Sequence, residues 1–490
     1  MMARWEFSIE LDRQTDVPLY RQITAAITAD IRRGRLRPGE ALPGTRTLAR
    51  TLGVQRMTVV AAFDDLVAEG WIVTLPARRT IVSPELPDPP RAAASKRGTT
   101  INRLPDRTLF ELLPGPPDEM PYDVPPGALL FAPNRPDTRL IPRDLIGRAY
   151  RRAIRRGGNQ LLGYGRPQGH ERLRTAIASM LSSTRGIAAS ADDVCITRGS
   201  QMGLALLARA ILRPGDVVAV EDLGYRPALE VLRAQGAKVI PVPTDAEGMQ
   251  IDVLESLTSK SGIRAVHITP HHQFPTTVTL SAPRRLRLLE LARQRRFAII
   301  EEDYDNEFHY DGAPVLPLAS VDRWGVVAYV GTFSKVLAPA LRIGYIVAPR
   351  TLVKNVAAHR LYIDVQGDRV LEFALAELIE EGEVQRHIRR VRREYRARRD
   401  VLVDALRERL AEALTFNVPA GGIGLWVRAE KKIDIDAWAE RARGRGAIMI
   451  TARHFSVDGR SRPFARLGFA SLDEAELREG VRRLAQALTC

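Results

Sequence analysis

Short apolar runs recur beyond residue 128 of this chain, and stretches of helical periodicity separate them. Four such runs occupy residues 217–220, 265–268, 297–300 and 326–330. A strand that is apolar throughout needs cover on both faces of its sheet, and crossover helices provide that cover. The alternation therefore predicts an α/β domain with parallel strands joined by helices.

A proline-rich segment divides the chain. Residues 85–127 hold ten prolines, which remove backbone donors and favour extended conformations, so we interpret this segment as a semi-rigid linker. At 490 residues the chain is long enough for two or three domains. We predict an N-terminal domain over residues 1–84 and the large α/β domain over residues 128–490.

The composition indicates a globular protein in a reducing compartment. No stretch approaches the roughly eighteen apolar residues of a membrane span, and the N-terminus lacks the apolar core of a signal peptide. The two cysteines, Cys195 and Cys490, are too few for a disulfide framework or a zinc cluster. We therefore expect a cytoplasmic protein that makes no membrane contact.

The net charge of +15 favours attraction to nucleic acid but does not locate a site. Residues 1–84 contain 12 arginines, no lysine and 9 acidic residues, so most of the excess lies elsewhere. In the basic run 387–399, Ile388, Val391 and Tyr395 recur at helical spacing. We interpret this run as one solvated helix face, with a second DNA contact as the alternative.

Three short helices and a hairpin are predicted in the N-terminal domain. The helices begin at Pro18, near Thr45 and near Gln55, and end at Arg33-Gly34, Leu52 and Glu69-Gly70. The second and third are joined by Leu52-Gly53-Val54, a turn that suits a helix-turn-helix. Residues 72–74 and 80–83 are predicted to pair as a wing.

The motif Leu42-Pro43-Gly44-Thr45-Arg46, followed by Leu52-Gly53-Val54-Gln55-Arg56-Met57-Thr58, resembles the winged helix of the GntR superfamily. Gly44 stands where that family usually has serine, and Ala77-Arg78-Arg79 stands where its wing usually has glycines. A three-helix protein–protein module is the alternative. The resemblance implies that double-stranded DNA is bound by Arg46, Thr47, Gln55, Arg56, Thr58, Arg78 and Arg79.

A lysine follows the last of the four apolar runs. It lies in Gly331-Thr332-Phe333-Ser334-Lys335, and Arg342 comes seven residues later. A partly desolvated lysine can form a Schiff base with an aldehyde cofactor. Thr332 and Arg342 could hold a phosphate through a hydroxyl donor and a guanidinium. An ordinary surface Ser-Lys pair is the alternative.

Polar or aromatic groups also mark the start of one predicted helix and the ends of the other three apolar runs. Gly199-Ser200-Gln201 precedes a predicted helix at residues 202–212, and a Gly-Ser pair at a helix N-terminus can cradle a phosphate. Tyr225 follows the run at 217–220 and could stack on an aromatic ring. The motifs at 269–275 and 300–305 follow two further runs. Ligands of open α/β sheets bind at such strand ends.

Together these motifs resemble the fold-type-I aminotransferases, and specifically the MocR-type regulators, which join a GntR head to such a domain. The resemblance implies pyridoxal 5'-phosphate as cofactor and Lys335 as its Schiff-base lysine. The ring-nitrogen aspartate of the family falls on Glu302, with Asp303 beside it, and Arg466 matches the arginine that binds a substrate carboxylate. The other implied cofactor-binding residues are Gly199, Ser200, Gln201, Tyr225, His272, Tyr304, Thr332, Ser334 and Arg342.

We therefore expect a DNA-binding transcriptional regulator that senses an amino acid or related amine through an external aldimine. The alternatives are an active aminotransferase, a vitamin B6 sensor that responds to the cofactor alone, and a DNA-binding protein whose large domain is purely structural. Glu302 in place of aspartate implies weak transamination at most. The resemblance also implies a homodimer.

Overall fold

The computed structural model describes residues 9, 11–13, 15–75, 79–86, 108–112, 115, 124–312 and 315–488. The chain forms two compact units, Met1–Leu113 and Pro114–Cys490. Most of the proposed linker, together with Arg78 and Cys490, lies outside the described residues. The boundaries predicted at residues 84 and 128 therefore stay predictions. No helix in the described ranges is long and apolar enough to cross a membrane.

The first unit is a three-helix fold with a hairpin, as the sequence predicts. Its elements are α1 (Leu19–Arg32), α2 (Thr45–Leu52), α3 (Arg56–Ala68), β1 (Ile72–Leu75) and β2 (Arg79–Val82). One face of each helix packs into a common apolar core that includes Ile27, Leu48 and Phe63. Gly53 ends α2 with a φ of 64°, a left-handed conformation that glycine adopts without steric cost. This turn sets α3 against α2 in helix-turn-helix geometry.

The second unit is built from strands that alternate with helices. Its strands are β3 (Leu129–Leu130), β4 (Val194–Thr197), β5 (Val217–Glu221), β6 (Lys238–Val242), β7 (Thr244–Asp245), β8 (Gly248–Met249), β9 (Ile263–Ile268), β10 (Ala298–Asp303), β11 (Val327–Thr332), β12 (Gly344–Val347), β13 (Leu414–Phe416), β14 (Gly424–Ala429), β15 (Ala447–Ile448), β16 (Ile450–Thr451) and β17 (Phe464–Gly468). Its helices are α4 (Arg143–Leu162), α5 (Glu171–Arg185), α6 (Gly199–Ile211), α7 (Arg226–Ala234), α8 (Ile251–Lys260), α9 (Ala282–Arg295), α10 (Arg350–Leu361), α11 (Arg369–Glu380), α12 (Glu383–Leu410), α13 (Ile435–Gly444) and α14 (Glu474–Leu488).

A seven-stranded sheet in the order β4-β12-β11-β10-β9-β5-β6 forms the centre of this unit. The four apolar runs are β5, β9, β10 and β11, and each pairs in parallel with its neighbours among them. This confirms the predicted parallel α/β sheet. Strand β12 is antiparallel to both β11 and β4, which the sequence pattern did not indicate.

Helices cover both faces of the sheet, which explains why its strands are apolar throughout. On β10, Ile299 packs into a core cluster with α8 and α9, whereas Ile300 packs into a cluster with α6 and α7. Successive side chains of a strand point to opposite faces, so both faces of β10 are buried. The polar groups of the sheet are therefore concentrated at the ends of its strands.

A smaller antiparallel sheet, β13-β14-β17-β16, packs against the last helices of the chain. Helix α12 contains the basic run that we expected to form a solvated face. Val391 and Tyr395 are buried as the spacing predicts. Arg398 and Arg399 are also buried, in ion pairs with Asp137 and Asp311. The prediction is therefore wrong for these two arginines, because acidic partners compensate their charge inside the fold.

Candidate functional site

A cavity of about 320 Å³ opens at the carboxyl ends of the central strands. It collects side chains from the ends of β9, β10 and β11 and from the N-terminus of α6. Its lining residues are Asn134, Ser200, Gln201, Tyr225, Pro227, Thr269, Phe274, Glu302, Tyr304, Thr332, Ser334, Lys335, Pro339 and Arg342. Nine of the site residues expected from the sequence are brought together here.

Lys335 lies in the turn that follows β11 and contributes to the wall of the cavity. The turn is fixed by the Ser334 backbone N–H, which donates to the Thr332 hydroxyl at 3.1 Å. Burial lowers the pKa of the Lys335 ammonium to about 8, against the opposing effect of the Glu302 and Asp305 carboxylates. About a tenth of this amine is therefore neutral, and nucleophilic, at pH 7, far more than for an ordinary lysine.

The start of α6 and Arg342 form a cradle suited to an anion. Gly199 has a φ of 77°, and a Cβ at this position would lie 2.7 Å from Nη2 of Arg342. The same Nη2 donates to the carbonyl of Arg198 at 2.9 Å. Ser200 and Gln201 follow in the first turn of the helix, where backbone N–H groups have no intrahelical acceptor. A guanidinium and free N–H groups at a helix N-terminus together bind phosphates well.

A buried acid faces the cavity from the end of β10. Glu302 lines the cavity, and one of its carboxylate oxygens lies 3.2 Å from Nε2 of His267 on β9. Asp303 was expected beside it, but the structure places Asp303 outside the cavity. Its carboxylate accepts a hydrogen bond from the Tyr329 hydroxyl at 2.7 Å. The reason is the alternation of side chains along β10, which turns residue 303 to the other face of the sheet.

Aromatic side chains form a second wall. Tyr225 and Tyr304 both stand edge-to-face against Phe274, with ring centroids 5.8 and 5.9 Å apart. His272 was expected at this wall, but the 269–275 loop turns it away. Its Nδ1 lies 2.8 Å from a carboxylate oxygen of Asp305, and its backbone carbonyl accepts from the Tyr304 hydroxyl at 3.0 Å. Phe274 occupies the wall instead.

Arg466 lies on β17, fully buried, and is not among the residues that line the cavity. Its Nε donates to the carbonyl of Pro133 at 2.8 Å, and its Nη1 donates to the carbonyl of Pro275 at 2.6 Å. Its Nη2 is buried and has no hydrogen-bond partner among the residues described. The guanidinium carbon is 4.9 Å from the centroid of the Phe274 ring, which does line the cavity.

Sequence reasoning missed several lining residues, namely Asn134, Pro227, Thr269, Phe274 and Pro339. Thr269 is held in place by a hydrogen bond, in which its hydroxyl donates to the buried Glu221 carboxylate at 2.8 Å. Burial raises the pKa of Glu221 to about 7. Thr269 and Phe274 lie in a motif that the sequence analysis had singled out. Asn134 gave no signal, since it belongs to no strand end or helix start.

The residues expected to bind DNA lie at the surface of the first unit. Arg46 and Thr47 are exposed in the first turn of α2, and Gln55 and Arg56 are exposed at the start of α3. Arg79 is exposed at the start of β2, Thr58 is half-buried, and Arg78 lies outside the described residues. Met57, which was not singled out, is 69% exposed beside Arg56. The helix-turn-helix thus presents exposed arginines and an exposed apolar side chain at the starts of α2 and α3.

Two protein families match the two parts of the chain. The family described as Bacterial regulatory proteins, gntR family, matches residues 19–82, and Aminotransferase class I and II matches residues 138–484.

Relatives with both parts cover nearly the whole chain. The probable rhizopine catabolism regulatory protein MocR of Rhizobium meliloti is 33% identical over 97% of this chain and 95% of its own. The HTH-type pyridoxine biosynthesis transcriptional regulator PdxR of Corynebacterium glutamicum is 30% identical over 100% of both. The crystal structure of a multiple substrate aminotransferase from Thermococcus profundus is similar with a TM-score of 0.70 and 31% identity, over 74% of this chain and 92% of that one.

Proposed function

The chain belongs to the MocR-type regulators, which join a GntR-family winged helix-turn-helix to a class I and II aminotransferase domain, and from this premise we propose that it senses an amino acid or a closely related amine. It is a pyridoxal 5'-phosphate-binding transcriptional regulator of fold type I. The nature of the effector and the roles of individual residues are our proposal. The observation that carries it is Nη2 of the Arg466 guanidinium, which is buried behind the cavity wall without a hydrogen-bond partner among the described residues.

The residues of the cavity fit this cofactor. Lys335 would hold the aldehyde carbon, since burial keeps part of its amine neutral. Ser200, Gln201 and Arg342 would hold the phosphate, and the room that Gly199 leaves beside Arg342 supports this assignment. Tyr225 would stack on the ring, and Thr332 and Ser334 would support the phosphate side. When bound, the cofactor supplies an electrophilic carbon to which a primary amine can become attached.

Arg466 argues for an acid group on the effector. A buried guanidinium with an unused N–H is costly unless a carbonyl or an anion completes its hydrogen bonds. Two of its nitrogens already bind the carbonyls of Pro133 and Pro275, which hold the group in place. Its free Nη2 would bind a carboxylate once Phe274 moves aside. A carboxylate and a primary amine together define an amino acid or a close relative.

Glu302 argues for sensing rather than turnover. Its carboxylate would hold the ring nitrogen of the cofactor, as the family aspartate does. One extra methylene and the contact with His267 constrain how that carboxylate can approach. We propose that proton transfer on the bound amine is therefore slow, so that the amine stays bound. The bound amine can then shift the equilibrium between two conformations of the domain. The size of the shift is set by the difference between its affinities for the two conformations.

The exposed face of α2 and α3 is proposed to bind the operator. Arg46 would contact phosphate and fix the register of the domain on DNA. Thr47 and Arg79 would add further backbone contacts, together with Arg78. Gln55, Arg56 and Thr58 would reach base edges in the major groove, and the exposed Met57 beside them offers apolar contact to a thymine methyl group. We also propose that the protein is a cytoplasmic homodimer.

The test is to titrate candidate amino acids into the full-length protein with its native promoter. Cofactor absorbance, promoter affinity and release of the matching oxo acid are followed in the same samples. We expect a spectral change and a change in promoter affinity at the same amino-acid concentration, with little oxo acid formed. Rapid oxo-acid formation from every active amino acid would identify an aminotransferase and overturn the proposal.

A sensor of the cofactor itself is the second candidate. The pyridoxine biosynthesis regulator is 30% identical to this chain over the full length of both, which favours this alternative. It predicts that adding pyridoxal 5'-phosphate alone changes promoter affinity and that no amino acid has a further effect. Arg466 weighs against it, because a response to the cofactor alone leaves Nη2 without a function.

A further inference from the structure

Three histidines converge on the side of the 269–275 loop that faces away from the cavity. His271 and His272 lie in this loop, and His309 follows β10 by a short segment. One ring nitrogen from each lies within 4.8 Å of the others. We propose that His271, His272 and His309 bind a divalent transition-metal ion of the zinc type. This site is separate from the cofactor cavity and does not depend on the proposed function.

The ring nitrogens are the first argument. His271 is 4% exposed, and neither of its nitrogens has a hydrogen-bond partner within the described part of the chain. The same is true of both nitrogens of His309. A buried polar group without a partner costs free energy, so such groups are rare in folded proteins. Several of them at one point suit a shared ligand, and neutral imidazoles prefer zinc-type ions.

The outer partners of His272 are the second argument. Its Nδ1 lies 2.8 Å from Oδ1 of Asp305, a carboxylate that is itself 1% exposed. This contact directs Nε2 toward the cluster, as in the carboxylate–histidine–metal arrangements of many metal sites. Gly421 keeps the space beside Nε2 open, since a Cβ there would lie 2.4 Å from this nitrogen. The buried charge of Asp305 also offsets part of the charge of a divalent ion.

The geometry requires only a small adjustment. Four-coordinate zinc binds imidazole nitrogen at about 2.0–2.1 Å, which places two such nitrogens about 3.4 Å apart. The ring centroid of His271 lies 4.2 Å from that of His272 and 6.0 Å from that of His309. His309 is half-buried, so its ring can move toward the other two. The three ligand nitrogens lie within 4.8 Å of one another, so they need to approach by at most about 1.4 Å to reach that spacing.

The fourth ligand would come from solvent. His309 also lines a second cavity, of about 450 Å³, whose other walls include Arg389, Arg392, Arg393 and Arg396. These arginines are exposed, so water and salt screen their repulsion of an incoming cation. Their charge favours an anion, such as hydroxide or chloride, as the ligand that completes the coordination.

The test uses full-length holoprotein that carries no polyhistidine tag. After treatment with a chelator, the protein is titrated with Co²⁺, whose visible absorption reports four-coordinate binding, and then with Zn²⁺ as competitor. We expect one ion per chain. His309→Gln and His271→Asn should each weaken binding by about 10-fold or more, as loss of a ligand requires. His359→Gln, on α10 and outside the cluster, is the matched control and should bind like the wild type.

The cofactor absorbance of each variant shows that it is folded and keeps failure of this proposal distinct from failure of the proposed function. Substoichiometric binding by the wild type would overturn the metal site. Binding that survives unchanged in both His309→Gln and His271→Asn would also overturn it.

Discussion

Nε2 of His267 lies 3.2 Å from Oε2 of Glu302, and both side chains are buried. The two residues lie on neighbouring parallel strands, β9 and β10, so the sheet itself sets their separation. Because the imidazole holds one carboxylate oxygen, only the other is free to face the cavity. The charge presented to the cavity at this point is therefore under the control of a residue that does not line it.

We predict that Glu302→Gln weakens the affinity for pyridoxal 5'-phosphate by about tenfold, because a charged hydrogen bond is worth about 1.5–3 kcal/mol and a neutral one about half as much. The measurement is an absorbance titration of the apoprotein with the cofactor. Glu380→Gln, in α11 and at the surface, is the control. Equal affinities for all three proteins would show that Glu302 does not hold the cofactor.

Lys335 should make capture of the cofactor depend on pH. Only the neutral amine attacks an aldehyde, and burial sets the pKa of Lys335 to about 8. The rate of capture by the apoprotein should thus rise between pH 7 and 8 and level off above about pH 9, which stopped-flow absorbance can follow. Lys335→Ala should lack the absorbance band of covalently attached cofactor. A rate that still rises steeply above pH 9.5 would contradict the low pKa.

Gly199→Ala should damage the phosphate cradle. Its Cβ would lie 2.7 Å from Nη2 of Arg342, at a φ of 77° that side chains rarely adopt. We expect the affinity for the cofactor to fall about tenfold, since strain of this kind costs about 1–3 kcal/mol. Gly203→Ala is the matched control, one turn further along α6, where a Cβ would meet its nearest neighbour at 3.4 Å. Similar losses in both variants would mean that the cradle is not the cause.

Arg466→Lys should separate acid recognition from cofactor binding. Lysine keeps the charge but loses the bidentate geometry, so the apparent affinity for an amino-acid effector should fall by about 100-fold. The affinity for a primary amine without an acid group should not change. Both are read from cofactor absorbance, which also reports folding of the variant. A parallel loss for acid and non-acid amines would argue against a carboxylate contact.

Arg46→Ala should weaken binding to all DNA sequences about equally and lower the salt slope by about one unit, because it removes one phosphate contact. Arg56→Ala should instead relax sequence preference by about 1–3 kcal/mol. Arg478→Ala, exposed on α14, is the control for the change in charge alone. Binding assays over a range of salt concentrations on operator and random DNA distinguish these outcomes.

The spacing of apolar residues predicted the helices and strands well, because that spacing reflects which faces of each element are buried. The four apolar runs became the central parallel strands, and the boundaries of α2 matched those expected from Thr45 and Gly53. Strand β12 was missed because its direction depends on pairing with β4 and β11, which are far away in the sequence.

The lining of the cavity could be predicted to the level of loops but not of side-chain direction. Glu302 and Asp303 are adjacent and chemically alike. Only the orientation of β10 in the sheet shows which of the two side chains lines the cavity. The placing of His272 failed for a similar reason, since the turn at 269–275 exchanges it for Phe274. The proximity of His309 to His271 could not be predicted, because 37 residues separate them in the sequence and only the fold brings them together.

The two faces of the 269–275 loop also bear on how such a regulator can diverge. Thr269 and Phe274 face the cavity and are constrained by whatever occupies it. His271 faces the other way, so mutation at this position is free of that constraint. The Tyr304 hydroxyl ties the backbone of the loop to the cavity wall. Single substitutions on the rear face could therefore add or remove a second input without replacing any residue that lines the cavity.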